Sequence, residues 1–310
     1  MSGRILALSG GVGGAKLALG LARVLPPAEL LVVCNTGDDF EHLGLHVSPD
    51  LDTVTYTLAG LANPETGWGL AGEGWRFLAA LERLGGESWF RLGDRDLATH
   101  VERTRRLRGG ETLSAVTAAF CRALGVETAV APMSDQPVRT VVETAAGDLP
   151  FQVYFVRERC SPTVRGLRFE GAESARPAPA FAQALSDPDL RAIVLCPSNP
   201  YLSMDPILAI PGVVEGLRET SAPVVAVSPI VGGRAIKGPT AKIMAELERP
   251  ATAVEVARCY RERGILDRFV LDEVDRQLAP QVEALGVEVA VEQTVMRSEA
   301  DKVALARALV

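Results

Sequence analysis

Short, largely apolar runs recur along the chain, and each ends in a loop of small and polar residues. The runs cover residues 5–8, 30–34, 128–131, 192–196 and 224–227. Uninterrupted apolar runs of this length, with helical stretches between most of them, are typical of parallel strands buried on both faces. We therefore predict an α/β fold built on a Rossmann-like, mostly parallel sheet with helices on both faces.

Two stretches depart from this alternation and predict insertions within a single domain of residues 1–310. The first, about 52–125, reads as mostly helical, with helices near 75–84 and 113–124.

The end of the chain has a pattern of polar and apolar residues that predicts a closing helix over 298–310.

The second insertion, about 138–170, predicts antiparallel β-structure. Residues 140–144 read as a strand, a turn follows at 145–148, and residues 151–155 read as the returning strand. The sequence therefore predicts a β-hairpin insertion beside the main sheet.

The first apolar run leads into a turn that is unusually rich in glycine. Residues 9–17 read Ser-Gly-Gly-Val-Gly-Gly-Ala-Lys-Leu, and an amphipathic helical pattern follows. Glycines let the backbone approach a ligand with its N–H groups, and the helix N-terminus and Lys16 add positive charge. We predict a phosphate-binding turn; the alternative is a tight strand-to-helix turn without a ligand. The residues assigned to it are Ser9, Gly10, Gly11, Gly13, Gly14 and Lys16.

The spacing of this turn differs from both common phosphate-binding motifs. A Walker loop ends in Gly-Lys-Ser/Thr, whereas Lys16 is followed here by Leu17, which has no hydroxyl for magnesium. The dinucleotide motif G-x-G-x-x-G, begun at Gly11, requires glycine at the position of Lys16. P-loop chemistry and a metal-free dinucleotide oxidoreductase are therefore disfavoured.

Composition limits the class of protein further. With 310 residues and 47% hydrophobic residues, the chain has material for a sizeable core, and its net charge of −7 argues against a general nucleic-acid binder. No apolar run approaches the roughly 18 residues of a membrane helix, and residues 5–8 are too short for a signal peptide. The five cysteines form no C-x-x-C pair and the three histidines are scattered. We expect no disulfide, no zinc site and a reducing cytoplasm.

An acidic motif follows the second apolar run. Residues 48–53 read Ser-Pro-Asp-Leu-Asp-Thr. If this loop is extended, Asp50 and Asp52 turn to one side and offer oxygen ligands to a hard cation such as Mg²⁺. Beside a phosphate-binding turn, that cation would neutralise and polarise a diphosphate. The alternative is that Asp52 and Thr53 cap the next helix.

A second charged motif lies at residues 92–100, which read Leu-Gly-Asp-Arg-Asp-Leu-Ala-Thr-His. Arg95 stands between Asp94 and Asp96, which is typical of a surface salt-bridge cluster. Asp96 is also suited to capping a helix. The position at a loop-to-helix junction equally suits presentation of Arg95 into a cleft.

Polar residues also follow the later apolar runs. Asn199 is suited to reading the edge of a base, and Ser198 and Ser228 are suited to donating to phosphate. Lys237 and Lys242 flank a Gly-Pro-Thr turn, and Lys242 falls in the first turn of a predicted helix. The alternative is that both lysines lie on the solvated surface and bind no ligand.

Taken together, these motifs resemble the 2-phospho-L-lactate transferase family of the CofD/FbiA type, which builds coenzyme F420. The resemblance runs in order along essentially the whole chain and includes residues 35–39 (Asn-Thr-Gly-Asp-Asp), 133–135 (Met-Ser-Asp) and 238–242 (Gly-Pro-Thr-Ala-Lys). It implies transfer of a phosphorylated three-carbon acid from a guanosine diphosphate-linked donor to the deazaflavin Fo. GMP is released, and Mg²⁺ is required. The acid is 2-phospho-L-lactate, phosphoenolpyruvate or phosphoglycerate.

The resemblance also implies roles for residues of the matching motifs. Asp50 or Asp52, together with Arg95, would contact Fo or the metal, and we expect in-line attack by an Fo hydroxyl on the phosphorus that carries the acid. Asp50 or Asp52 would be metal ligand or proton acceptor. The residues assigned to nucleotide binding are Ser9, Gly10, Gly11, Gly13, Gly14, Lys16, Asn35, Asp94, Ser198, Asn199, Ser228 and Lys242.

A competing interpretation is a protein that binds nucleotide-sugars without transfer chemistry, as in a related family of gluconeogenesis or cell-shape factors. The acidic pair Asp50 and Asp52 and the motif at 92–100 favour the transferase. We further expect a homodimer and neither a nucleic-acid nor a membrane partner. The sequence determines neither the acid transferred nor the proton acceptor.

Overall fold

A seven-stranded parallel sheet is the centre of the computed structural model, which describes residues 3–236 and 238–310. The strands are β1 (Ile5–Ser9), β2 (Leu30–Cys34), β3 (Phe40–His42), β4 (Leu45–Val47), β5 (Ala129–Pro132), β6 (Arg139–Thr144), β7 (Gly147–Pro150), β8 (Val164–Glu170), β9 (Ala192–Leu195), β10 (Val224–Val227), β11 (Ile230–Val231), β12 (Arg234–Ala235), β13 (Arg268–Asp272) and β14 (Glu288–Glu292). The α-helices are α1 (Gly11–Val24), α2 (Pro49–Leu58), α3 (Arg76–Arg83), α4 (Asp96–Arg108), α5 (Leu113–Ala123), α6 (Pro179–Leu185), α7 (Asp205–Leu208), α8 (Val213–Glu219), α9 (Thr240–Glu246), α10 (Ala253–Glu262), α11 (Ala279–Glu283) and α12 (Glu299–Leu309). Short 3₁₀ helices cover Pro27–Glu29, Ala172–Ser174 and Glu273–Leu278, and π-helical turns cover Val153–Arg157 and Pro200–Met204.

The strand order of the main sheet is β14-β13-β10-β9-β1-β2-β5. The chain runs outward from β1 through β2 to β5, then returns to β9 beside β1 and continues outward on the other side. β1 pairs in parallel with β2, where Ser9 is opposite Cys34, and with β9, where Leu8 is opposite Leu195. The order therefore reverses between β1 and β9, and the carboxyl ends of these strands form the crevice in which open α/β sheets bind ligands.

Alternate residues of each strand enter two separate cores, one on each face of the sheet. Leu6 and Leu8 pack on the face that carries α6, α7, α8 and α10, whereas Ile5 and Ala7 pack against α1, α2, α5 and α12. This period of two, with apolar residues on both faces, explains why the strands read as continuous apolar runs. The predicted fold class, a Rossmann-like sheet covered on both sides, is confirmed.

The strands predicted from the sequence are present as β1, β2, β5, β9 and β10. Two further parallel strands, β13 and β14, extend the sheet and were not predicted. β13 begins with Arg268 and ends with Asp272, and the edge strand β14 has glutamate at both ends. These charged ends interrupt the apolar pattern from which the other strands were predicted.

The chain between β2 and β5 contains the small hairpin β3–β4 and helices α2 to α5. The chain between β5 and β9 contains a three-stranded antiparallel sheet of order β7-β6-β8. The predicted returning strand at 151–155 is wrong: β7 ends at Pro150, and Phe151 begins a helical segment with a π-helical turn. Phe151 and Tyr154 are both buried and three residues apart, which is a helical spacing and not a strand spacing.

The predicted closing helix is confirmed as α12, which Ser298 caps through a hydrogen bond from the N–H of Asp301. Across residues 3–236 and 238–310, the longest apolar helices fall short of what a bilayer crossing requires.

Candidate active site

A cleft of about 800 Å³ opens at the carboxyl ends of β1 and β9. Its walls combine the start of α1, the start of α2, the start of α4, the loop after β9 and the segment between β14 and α12. Eight of the residues assigned from the sequence line this cleft: Gly10, Gly11, Gly13, Lys16, Asp50, Asp52, Ser198 and Asn199.

The glycine turn has the close backbone approaches that only glycine permits. A Cβ on Gly13 would lie 2.3 Å from the carbonyl oxygen of Pro197, and a Cβ on Gly14 would lie 2.4 Å from Oγ of Ser9. Gly11 has a φ of +62° and open space on its Cβ side, which faces the cleft. Because the first-turn N–H groups of a helix lack intrahelical acceptors, the start of α1 is suited to an anion.

The loop after β9 joins the glycine turn through Ser198. Its Oγ accepts from the N–H of Gly10 at 3.0 Å and donates to the carbonyl of Gly10 at 2.7 Å. Asn199 uses Oδ1 to accept from the N–H groups of Tyr201 and Leu202, so it caps the π-helical turn that follows. These hydrogen bonds therefore link the carboxyl ends of β1 and β9 at the switch point, the place where the strand order of the sheet reverses.

Asp50 connects α2 to the glycine turn. Its Oδ1 accepts from the N–H of Gly11 at 2.8 Å, and its Oδ2 accepts from Nδ2 of Asn35 at 3.0 Å. The same amide also donates to Oδ1 of Asp38 at 3.0 Å. Burial raises the pKa of Asp50 to about 6, and burial with the nearby Asp50 charge raises the pKa of Asp38 well above its usual value. Two carboxylates therefore share a buried site beside the anion-binding end of α1.

Asp52 faces a different partner from Asp50. The predicted extended loop is instead the first turn of α2, which Pro49 begins. Residues two apart on a helix point in directions about 200° apart, so the two carboxylates diverge. Both oxygens of Asp52 accept from the Arg103 guanidinium, with Nη1 at 3.1 Å from Oδ2. This buried ion pair joins α2 to α4, and Asp52 is the member of the pair that lines the cleft.

The motif at 92–100 divides between two surfaces. The Asp94 carboxylate accepts from the N–H groups of Arg76 and Phe77, which fixes the start of α3, and Arg95 donates to the carbonyl of Ala71 at 2.6 Å. Neither Asp94 nor Arg95 lines the cleft. The cleft residues of this motif are Asp96 and His100, which sequence reasoning left out of the site.

The remaining assigned residues lie behind or beside the cleft. Ser9, Asn35 and Ser228 are completely buried, and Ser228 Oγ donates to the carbonyl of Ile230 at 2.8 Å. Gly14 is buried within α1. Lys242 lies on α9, where its Nζ donates to the carbonyl of Pro162 at 3.0 Å and pairs with Glu246. Lys237 lies outside the described residues.

Aromatic side chains form the outer part of the cleft, and sequence reasoning missed them. Phe151 and Phe155 stack with ring centroids 5.3 Å apart, and Trp68 and Phe155 remain 48% and 38% exposed. Phe90 lies edge-on to Phe40 at 4.8 Å. The aromatic residues that line the cleft are Tyr56, Trp68, Trp89, Phe90, Phe151 and Phe155. Flat rings around a polar floor are suited to a planar ligand.

The segment between β14 and α12 closes the cleft near the glycine turn. Thr294, Val295, Met296 and Arg297 line it, and Lys16 donates from Nζ to the carbonyl of Met296 at 2.9 Å. This contact joins α1 to the last part of the chain. No sequence motif indicated it, because the segment is short and has no distinctive composition.

Comparison with known proteins agrees with this architecture. Residues 5–308 match the family described as 2-phospho-L-lactate transferase CofD. A phosphoenolpyruvate transferase of Streptomyces griseus is 44% identical over 289 residues, which is 92% of this chain and 90% of the relative. A 2-phospho-L-lactate transferase of Methanopyrus kandleri is 42% identical over 309 residues, or 99% and 96% of the two chains.

Among solved structures, a UPF0052 family protein from Bacillus halodurans superposes with a TM-score of 0.67 at 15% identity, over 100% of this chain and 99% of that one. That likeness concerns the fold alone. The family match and the relatives above 40% identity go further, and they favour the transferase over the binding-protein alternative. The chain belongs to the 2-phospho-L-lactate transferase (CofD) family, and it is a transferase enzyme.

Proposed function

We propose that this transferase moves a phosphorylated three-carbon acid from a guanosine diphosphate-linked donor to a hydroxyl of the deazaflavin Fo, and releases GMP. The observation that carries the proposal is the meeting of the glycine turn with the Ser198 loop at the switch point of the sheet. This arrangement offers backbone N–H groups at the start of α1 to a diphosphate. Phosphoryl transfer asks a protein mainly for positioning and charge stabilisation, and the cleft supplies both.

In this proposal the donor's diphosphate lies against the N–H groups of the first turn of α1, near Lys16. Asn199 has its Oδ1 occupied as a helix cap, so its Nδ2 is the group suited to contact the nucleotide. The cationic residues that line the described part of the cleft are Lys16, Arg91, Arg159 and Arg297. A cation of this set would bind the carboxylate of the acid.

The buried carboxylates of Asp50 and Asp38 fit a Mg²⁺ ion. They share the amide of Asn35, and both have pKa values raised by burial, so a divalent cation would relieve their unfavourable charge. The sequence assigned the metal to Asp50 and Asp52, but both oxygens of Asp52 are already bound by Arg103. When bound, Mg²⁺ supplies charge neutralisation to the diphosphate and the leaving phosphate.

The aromatic outer part of the cleft supports binding of the flat deazaflavin ring. Trp68 and Phe155 are partly exposed in the cleft, so their rings can stack on a planar heterocycle. With the ring there, the polyol chain of the acceptor would extend inward toward the carboxylates of α2 and α4.

Mass spectrometry of the product tests this proposal. Purified protein is incubated with Mg²⁺, Fo and, in turn, guanosine diphosphate-linked phospholactate, phosphoenolpyruvate and phosphoglycerate. We expect one donor to give an Fo adduct whose mass includes the acid and its phosphate, with one GMP released per adduct. The names of the relatives divide between phosphoenolpyruvate and 2-phospho-L-lactate, so this assay also decides the acid. Absence of adduct with all three donors, in protein that binds GDP, would refute the proposal.

A further inference from the structure

A polar network of α2 and α4 presents one carboxylate to the cleft. Asp96 begins α4, and His100 follows one turn later on the same face. Tyr56 of α2 hydrogen-bonds Asp96 Oδ1 and Thr99 Oγ1, both at 2.7 Å. Nε2 of His100 lies 3.3 Å from Asp96 Oδ2. Tyr56 of α2 thereby holds the Asp96 carboxylate through a hydrogen bond, and His100 of α4 lies beside its other oxygen.

Within this network, the Asp96 carboxylate is more open to the cleft than the groups beside it. Tyr56 and His100 are 2% and 1% exposed, whereas the Asp96 side chain is 17% exposed, and all three line the cleft. Along α2, Asp50, Thr53 and Tyr56 recur every three residues on the cleft wall. Tyr56 is therefore roughly 9 Å along the helix axis from Asp50. Asp96 is the network's accessible acceptor.

The hydrogen bonds of His100 determine which of its nitrogens faces Asp96. Arg103 Nη1 lies 3.3 Å from His100 Nδ1, and a guanidinium only donates, so Nδ1 is an acceptor and Nε2 carries the proton. Nε2 is buried and makes no well-aligned hydrogen bond in the described structure, although Asp96 Oδ2 is the atom it faces. Catalytic hydrogen bonds are often long before substrate binds.

The other carboxylates that line the described part of the cleft are Asp38, Asp50 and Asp52, and Asp38 accepts from Asn35 Nδ2 through Oδ1. Asp50 accepts from Gly11 and Asn35, and Asp52 accepts from Arg103 through both oxygens. Among the described residues, His100 Nε2 lies 3.3 Å from Asp96 Oδ2, and a carboxylate oxygen of Asp52 lies within 4.8 Å of the Asp96 carboxylate. Since the proposed Mg²⁺ takes Asp38 and Asp50 and Arg103 binds Asp52, Asp96 Oδ2 is the carboxylate oxygen of this set placed to accept from an incoming hydroxyl.

We propose that Asp96 is the catalytic residue that accepts the proton of the attacking acceptor hydroxyl, and that His100 and Tyr56 are positioning residues that hold its carboxylate. This inference rests on the proposed function. The acceptor O–H bond breaks and its proton moves to Asp96 Oδ2, while the oxygen's electron pair forms the new O–P bond. The bond from that phosphorus to the bridging oxygen breaks, and its electron pair leaves with GMP. A weakly basic aspartate suffices where, as in kinases, the transition state is loose.

Variants of Asp96 and of Glu102, a surface residue of the same helix, test this assignment in the mass-spectrometric transfer assay. Asp96→Asn keeps the shape and the contact with Tyr56 but removes the proton acceptor, and we expect kcat to fall about 100-fold or more. The affinity for GDP and the KM for Fo should change less than about threefold. Glu102→Gln is the matched control: Glu102 lies on the same helix, pairs with Arg105 at the surface and is outside the cleft lining, so the variant should keep kcat within about twofold.

Chemical rescue separates loss of the proton acceptor from loss of structure. Asp96→Ala leaves space for a small carboxylate, and added formate should restore its turnover at least about tenfold, with no such gain in the wild type or in Asp50→Ala. Tyr56→Phe should lower kcat about tenfold without changing GDP affinity. Full turnover by folded Asp96→Asn, or Asp96→Ala that formate leaves unchanged, would overturn the role of Asp96 alone. Wild-type protein that transfers nothing from any of the donors would overturn the proposed function together with it.

Discussion

The Asp50 carboxylate accepts a 2.8 Å hydrogen bond from the backbone N–H of Gly11, the residue that begins α1. The acidic start of α2 thus lies at the positively charged end of α1, which is also where a phosphate would bind. A phosphate bound there would lie beside the Asp50 carboxylate, which is why the proposed function includes Mg²⁺ at this position. This relationship makes Asp50 the residue on which the charge balance of the site depends.

The raised pKa of Asp50 predicts how its substitution changes stability with pH. Because the pKa is about 6 in the folded protein and about 4 in an unfolded chain, the folded state holds this proton more tightly. Ionisation of Asp50 therefore lowers the free energy of unfolding above about pH 4, and this cost reaches its full size above about pH 6. The cost is relieved as the pH falls from about 6 to 4. In metal-free buffer, Asp50→Asn should be more stable than the wild type at pH 7.5 by about 1–3 kcal/mol.

Urea unfolding of both proteins at pH 7.5 and pH 4.5 checks this prediction. The advantage of Asp50→Asn should shrink toward zero at the lower pH, where Asp50 is protonated. A difference between the two proteins that stays constant over this range would contradict the pKa assigned to Asp50.

Alanine variants of two glycines in α1 distinguish a loss of packing from a loss of ligand binding. A Cβ on Gly13 would lie 2.3 Å from the Pro197 carbonyl oxygen at the cleft, and a Cβ on Gly20 would lie 2.2 Å from the Lys302 carbonyl oxygen against α12. Both alanine variants should lose about 1–3 kcal/mol of unfolding free energy from overpacking. Only Gly13→Ala should also weaken GDP binding in calorimetry, at least tenfold. Equal GDP affinity in the two variants would argue against a ligand at the glycine turn.

The buried pair of Asp52 and Arg103 predicts a large and conditional loss of stability. Arg103→Met leaves the Asp52 charge unpaired and should lower the unfolding free energy by about 3–5 kcal/mol. Adding Asp52→Asn removes that charge, so the double variant should be more stable than Arg103→Met alone. Thermal and urea unfolding measure both. A cost below about 1 kcal/mol for Arg103→Met would mean that the pair does not stabilise the fold.

The aromatic part of the cleft predicts a change in acceptor binding without a change in donor binding. Phe155→Ala removes a ring that stacks on Phe151 and faces the cleft. The KM for Fo should rise about tenfold, the equivalent of about 1.4 kcal/mol, while the Kd for GDP stays the same. Leu84→Ala is the control, since Leu84 is 86% exposed and lies outside the cleft lining. A rise in the Kd for GDP with no change in the KM for Fo would place the acceptor elsewhere.

The sequence predicted the sheet well because buried parallel strands read as apolar runs, and β1, β2 and β9 are such runs. It missed β13 and β14, whose ends carry charged residues. It also placed a strand at 151–155, where the buried Phe151 and Tyr154 instead have helical spacing. Local patterns thus identified the apolar central strands. They failed where charged residues end a strand, and where a helical face buries aromatic side chains.

The sequence identified the motifs that form the site, but not which side chains of each motif face the cleft. The motif at 92–100 was singled out, yet Asp96 and His100 lie on α4 and reach the cleft, whereas Asp94 and Arg95 precede the helix and lie outside the cleft lining. The four-residue spacing of Asp96 and His100 was the available signal. A homodimer and a cytoplasmic location stay predictions, since neither follows from the fold.

A crystal structure of the protein with GDP and Mg²⁺ tests the central claim most directly. We predict diphosphate oxygens about 2.7–3.2 Å from backbone N–H groups of the first turn of α1, with the nucleoside along the loop of Ser198 and Asn199. A nucleotide bound away from the glycine turn, or a turn that holds only solvent at saturating GDP, would contradict the account.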